Sequence, residues 1–206
     1  MHRRGRKDLL LRVGLAVLAV VTAGCAGTQS TSNTIKTLHE VGQAAPFDKV
    51  LVIGVAGEVP SRVRFEQELV KALSGDNSVA TAFYTIVGRN ALLTRTSLNT
   101  VIRAREFDAV VFTRMKGQDR ADLNPGRPTG RRFDLFRYDY EELNVPVPIS
   151  TATTVSFVVE VYDAQAKQKI WAIESLVFDA RSVDSALSDQ VANIAAEIRK
   201  DGLVRP

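Results

Sequence analysis

The chain reads as an α/β domain on a single mixed sheet of about five strands, ordered β-α-β-α-β, then an antiparallel hairpin and a carboxy-terminal helix. Three observations predict this mixed α+β arrangement. Nearly continuous apolar runs at 50–55 and 109–112 have the composition of strands buried on both faces. Segments of helical period lie between them. Two alternating runs, 153–162 and 170–178, flank a short polar loop as the arms of a hairpin do.

Val50, Leu51, Val52, Ile53 and Val55 form the first run, and Gly54-Val55-Ala56-Gly57 ends it as a tight turn. Pro60 and Ser61 open a helix in which Phe65, Leu69, Ala72 and Leu73 share a face, and Gly75 stops it. Val79 to Ile86 is a second, shorter strand. Ser97 caps a helix running through Val101 and Ile102, and Asp108 leads into the strand Ala109-Val110-Val111-Phe112. In the hairpin, Val155, Phe157, Val159 and Val161 share one face, residues 163–168 make the turn, and Trp171 belongs to the core. The last helix starts within 179–183 and carries the apolar stripe Val183, Leu187, Val191, Ile194 and Ile198 before Gly202 ends it. No internal repeat is present.

The amino terminus is an address. Arg3, Arg4, Arg6, Lys7 and Arg12 stand against a single Asp8, and an apolar run from Val13 to Thr22 leads to the small residues Ala23 and Gly24. That order is a secretory signal peptide, and the run falls short of the ~20 apolar residues needed to span a bilayer. Thr22-Ala23-Gly24-Cys25 resembles the lipobox of bacterial lipoproteins, with Thr22 where Leu is usual. The resemblance implies cleavage between Gly24 and Cys25 and acylation of the Cys25 thiol and of its new amine. Several acyl chains, at about 0.8 kcal/mol per buried methylene, hold a domain durably to a membrane. An ordinary signal peptide with a chance cysteine is the other reading of the same residues. Ala26 after the cysteine, in place of the inner-membrane retention residue Asp, implies the outer membrane, facing the periplasm. The expected organisation is a signal peptide at 1–24, a lipidated flexible tether at 25–46 and one globular domain at 47–206.

The net charge of +4 belongs to the signal. Residues 1–24 carry five of the 27 basic and one of the 23 acidic residues, so residues 25–206 hold 22 of each. A neutral exported domain has no basic stripe for phosphates, which excludes nucleic acid as a partner. Cys25 is the sole cysteine, so the fold rests on core burial without a disulfide. His39 is the one histidine outside the signal and lies in the expected tether. Histidine-based acid–base catalysis and a histidine metal site are therefore not expected. No Gly-x-Ser-x-Gly, His-Glu-x-x-His or Gly-x-x-x-x-Gly-Lys motif occurs. Asp122, Asn124 and Gly126 begin a calcium-loop pattern, but the glycine comes one residue early and no Glu closes it. Glu66 and Glu68 sit two positions apart on a helix and do not face each other, and Glu141-Glu142 lack a partner across a glycosidic bond. Most carboxylates read as solvated surface. The expectation is a non-enzymatic protein with no cofactor and no metal.

Residues 117–150 are the longest stretch without a clear element. Within it lie Arg131, Arg132, Phe133, Phe136, Arg137, Tyr138 and Tyr140; a short strand there places Phe136, Tyr138 and Tyr140 on one face. Three readings are open: rings covering a sheet edge, a protein contact built from aromatics and arginines, or a platform for a small ligand such as a peptidoglycan sugar.

Lys49-Val50-Leu51-Val52-Ile53-Gly54 before a helix, Val161-Tyr162-Asp163 with Lys169-Ile170-Trp171 in the hairpin, and the closing Lys200-Asp201-Gly202-Leu203 resemble a family of small bacterial lipoproteins. The resemblance covers most of 48–204. At the level of fold it is similar to the curli-secretion lipoprotein, the TolB amino-terminal domain and a periplasmic activator of peptidoglycan synthases. It implies an envelope protein, anchored to the membrane by lipid, that contacts another envelope protein or itself, and it brings no catalytic motif.

Overall fold

The structure, a computed structural model, describes residues 32–39, 46–55, 58–118, 134–137, 140, 154–178 and 183–205. All of them belong to one compact unit, Thr31–Pro206. Its elements are β1 (Ser32–His39), β2 (Lys49–Val55), α1 (Val59–Leu73), β3 (Val79–Ala82), α2 (Phe83–Val87), α3 (Arg95–Arg105), β4 (Ala109–Gln118), β5 (Thr154–Asp163), β6 (Gln168–Phe178) and α4 (Val183–Lys200). The six strands form one mixed sheet in the order β1-β6-β5-β4-β2-β3. β2 runs parallel to β3 and β4, and the ladders β4–β5, β5–β6 and β1–β6 are antiparallel.

The sixth strand corrects the expected tether. Ser32 to His39 add to the outer edge of β6, pairing from Ser32↔Phe178 to His39↔Ala172, so the folded unit starts well before residue 47. Ser32-Asn33-Thr34-Ile35-Lys36-Thr37 has too little apolar alternation to announce a strand. Its β-branched residues suit an edge position, where the main-chain ladder supplies the pairing.

Helices cover both faces. On one, Val52, Val111, Phe157, Val159 and Trp171 pack under Phe65, Leu69 and Leu73 of α1 and Leu187, Val191, Ile194 and Ile198 of α4. On the other, Leu51, Ile53, Val110, Phe112 and Tyr162 meet Phe83 of α2 and Leu98, Val101 and Ile102 of α3. Trp171 is fully buried, as its place in the alternation requires, and its indole N–H donates to Asp201 Oδ2 at 2.7 Å, tying β6 to the end of α4. The hairpin turn forms where expected: Asp163 Oδ1 accepts from the N–H groups of Gln165 and Ala166 at 2.8 and 2.7 Å.

Three local expectations are revised. The strand at 79–86 stops at Ala82. Tyr84 N–H is taken by the Glu66 carboxylate, and Thr85 Oγ1 donates back to Ala82 C=O at 2.6 Å, so the chain turns into α2. Thr94, not Ser97, is the N-cap of α3; Ser97 completes a reciprocal capping box three residues in. Gly54 lies inside β2, where a Cβ would stand 3.1 Å from the Phe65 ring, so glycine lets α1 settle against the strand. Gly57, the other half of the expected turn, lies outside the described residues.

Glu106 ends α3 in the left-handed conformation, φ 53° and ψ 46°, with its side chain 82 % exposed. A side chain there costs about 1 kcal/mol that glycine avoids. Glu106→Gly is expected to raise the melting temperature by ~2–4 °C for a domain of this size. Calorimetry checks this, and an unchanged or lower midpoint rules the strain out.

Candidate functional site

β5 sets Glu160 and Tyr162 on the same face, two residues apart, beneath the described part of the 131–140 segment. Glu160 is fully buried, and a carboxylate there requires partners. Lys169 Nζ lies 2.6 Å from its Oε1, Arg114 Nη2 lies 3.7 Å away, and the Tyr162 hydroxyl donates to Oε2 at 3.0 Å. Arg114 comes from β4 and Lys169 from β6, so the ion cluster spans three adjacent strands.

The network continues outward into the loop. Leu135 N–H donates to the Tyr162 hydroxyl at 3.1 Å, and the Tyr140 hydroxyl donates to Leu135 C=O. Two tyrosines thus satisfy both main-chain groups of a residue whose side chain is fully buried. The Phe136 ring meets Tyr162 edge-on, 5.8 Å between centroids, and Lys169 sits over Tyr162 at 5.8 Å. Burial, then the negative charge of Glu160, pushes the Tyr162 hydroxyl well above its ordinary value. Burial, with the Asp134 charge, pushes Tyr140 up to about 12. Neither phenol ionises near neutral pH, so both serve as hydrogen-bonding posts and not as bases.

Four of the residues singled out in this segment, Arg131, Arg132, Phe133 and Tyr138, lie outside the described residues, as do Gly24 and Cys25. Of the three aromatics expected on one strand face, Phe136 and Tyr140 are described, and the chain at Phe136 is a turn and not a strand. Residues 135–137 form a turn; Phe136 is half-buried, Tyr140 is buried, and Arg137 is exposed, 3.6 Å from Asp134. The rings of Phe136 and Tyr140 pack onto the sheet, and Arg137 points to solvent. The buried partners of this segment went unread in the sequence. Glu160 occupies the phase of Val158 and Tyr162, flanked by an apolar strand, and a charge in that position is the available signal.

A second carboxylate also departs from the solvated-surface reading. Glu66 is 1 % exposed on the inward stripe of α1, in phase with Leu69 and Leu73. Its two oxygens accept from Gly54 N–H at 3.0 Å and Tyr84 N–H at 3.1 Å, joining α1 to the end of β2 and the start of α2. Burial raises its pKa from 4.5 to about 7, against the lowering effect of those N–H groups and the Arg62 charge. Among the described residues, no three His, Cys, Asp or Glu side chains come together to hold a metal ion. No helix among them is long and apolar enough to cross a membrane.

No family model and no curated protein matches the chain. Among solved structures, it is similar to the PelC dodecamer from Paraburkholderia phytofirmans, at 10 % identity and TM-score 0.47, over 85 % of this chain and all of that one. It is also similar to lipoprotein GNA1162 from Neisseria meningitidis, at 13 % identity and TM-score 0.39, over 73 % of this chain and 96 % of that one. These are likenesses of chain trace alone.

The two buried networks generate separate expectations. Tyr162→Phe removes the hydroxyl between Glu160 and Leu135 N–H, leaving a buried donor without its acceptor. A loss of about 2 kcal/mol in urea unfolding is expected, and a neutral result excludes the bridging role. For Glu66, the folded state holds the proton more tightly than the unfolded chain between pH 4.5 and about 7. Its contribution is therefore fully present below pH 4.5 and is lost as pH rises through 7, by on the order of 3 kcal/mol. Glu66→Gln is expected to flatten the stability profile between pH 5 and 7 by the slope of one proton; an unchanged profile assigns the titration elsewhere.

Proposed function

We propose that this chain is a bacterial envelope lipoprotein, anchored through Cys25 to the outer membrane on its periplasmic side. Its domain acts without catalysis, by contact along β1 with another envelope protein or a second copy of itself. The observation that carries the reading is the position of β1. It ends the sheet, its outer row of N–H and C=O groups faces no further strand among the described residues, and Ile35 and Thr37 are exposed on it. An open edge eight residues long is a template for strand addition. Six residues lie between Cys25 and Ser32, so covalent geometry keeps the start of this edge within about 25 Å of the acylated cysteine. The non-catalytic part rests on the titratable groups described above, whose hydrogen bonds are spent within the fold.

A photoreactive amino acid at Ile35 or Thr37 in native envelopes is expected to yield a discrete adduct, identified by mass spectrometry. A probe at exposed Asp76 is expected to yield none. Palmitate is expected to label the wild type and not Cys25→Ser, and the β1 adduct to weaken at least tenfold with that substitution. No β1 adduct, together with a monomer in detergent that recovers no partner, overturns the contact reading. Absence of label overturns the anchor.

A further inference from the structure

On the face of the sheet that carries α3, a cavity of about 390 Å³ opens beside β3. Lys49, Val79 and Thr81 form its floor; Thr85 and Ile86 of α2, with Arg105 and Phe107, form its walls. The volume is that of a small-ligand pocket. Both charged residues lining it, Lys49 and Arg105, are cations, and Val79, Ile86 and Phe107 give it an apolar surface. The nearby carboxylates leave this charge in place. Asp108 is engaged by main-chain donors, the N–H groups of Asp48 and Lys49 at 2.9 and 3.0 Å. Glu106 meets Lys49 at 3.6 Å but is 82 % exposed, so water screens the pair.

A peptide strand does not suit this edge. β3 is four residues long, and Ala80 N–H already donates to Ser74 Oγ at 3.2 Å. The combination of an apolar surface, two cations and the Thr81 hydroxyl in one open cavity fits a compact molecule instead. We propose that this pocket binds a small anionic amphiphile, its phosphate or carboxylate group between Lys49 and Arg105 and its apolar body against Ile86 and Phe107. The site is separate from β1 and does not depend on the anchor or on a protein partner.

Octyl phosphate is the probe, titrated calorimetrically into the full lipidated protein in phosphatidylcholine nanodiscs, with empty discs subtracted and octyl glucoside as the neutral comparison. Saturable one-to-one binding of octyl phosphate, at least tenfold tighter than octyl glucoside, is expected. The double substitution Lys49→Ala with Arg105→Ala is expected to weaken it at least tenfold, by loss of charge-assisted contacts at an unchanged melting temperature. Glu106→Gln, which frees Lys49 without touching the pocket wall, is expected to tighten it about threefold. In discs containing phosphatidylglycerol, weaker octyl phosphate binding identifies a lipid headgroup as the competing anion, and unchanged binding identifies a soluble one. Absence of saturable binding, equal affinity for octyl glucoside, or indifference to both sets of substitutions overturns the proposal.

Discussion

β4 carries two different ladders at once. On one side it pairs in parallel with β2, through evenly slanted hydrogen bonds; on the other it pairs antiparallel with β5, through bonds perpendicular to the strands. Its residues 109–112 are closed to water on both faces, at 1 % exposure or less. A buried strand has no solvent to satisfy its main chain, so both ladders must form completely. That requirement separates the domain into a parallel part, β2, β3 and β4, where helical crossovers lie, and a hairpin part, β5 and β6, that needs none. α1 packs on the first part and α4 on the second, and they meet across the seam, where Ser188 Oγ donates to Glu68 at 3.0 Å.

The two buried carboxylates show what this frame tolerates. Glu160 is held by cations from the strands on either side and by a tyrosine hydroxyl, a set of partners that three adjacent strands in register can supply. Glu66 is held by two main-chain N–H groups at a strand end, which offset only part of the cost of burial, and its proton affinity rises accordingly. Each network ties down a different piece of chain: Glu160, through Tyr162, the turn at Leu135; Glu66, the entry into α2. Polar groups in a core specify such placements because any other placement leaves them unpaired.

The sheet's two edges are unlike in chemistry. β3 is short, has a main-chain donor capped by a serine, and adjoins a cavity lined by cations and apolar side chains. β1 is long, lies at the end of the sheet and follows the cysteine by seven residues. A short, capped edge resists another strand, whereas a long edge with no further strand beside it among the described residues presents a repeating main-chain pattern.

By itself the sequence determined the class of the domain, because apolar runs, alternation and helical stripes are local patterns tied to fixed periods. β2, α1, β4, the hairpin, Trp171 in the core and the last helix were all legible for that reason. Tertiary structure alone decided where those periods yield to distant partners. It made a strand of Ser32–His39 because β6 had an edge to fill, and it ended β3 at Ala82 because Glu66 claimed the Tyr84 N–H. It turned Tyr140 inward because Leu135 offered a carbonyl to its hydroxyl. It also gathered Arg114, Glu160 and Lys169 from three strands, and Lys49, Thr81 and Arg105 around one cavity. These residues are far apart along the chain, and only sheet register brings them together, a quantity that no local spacing encodes.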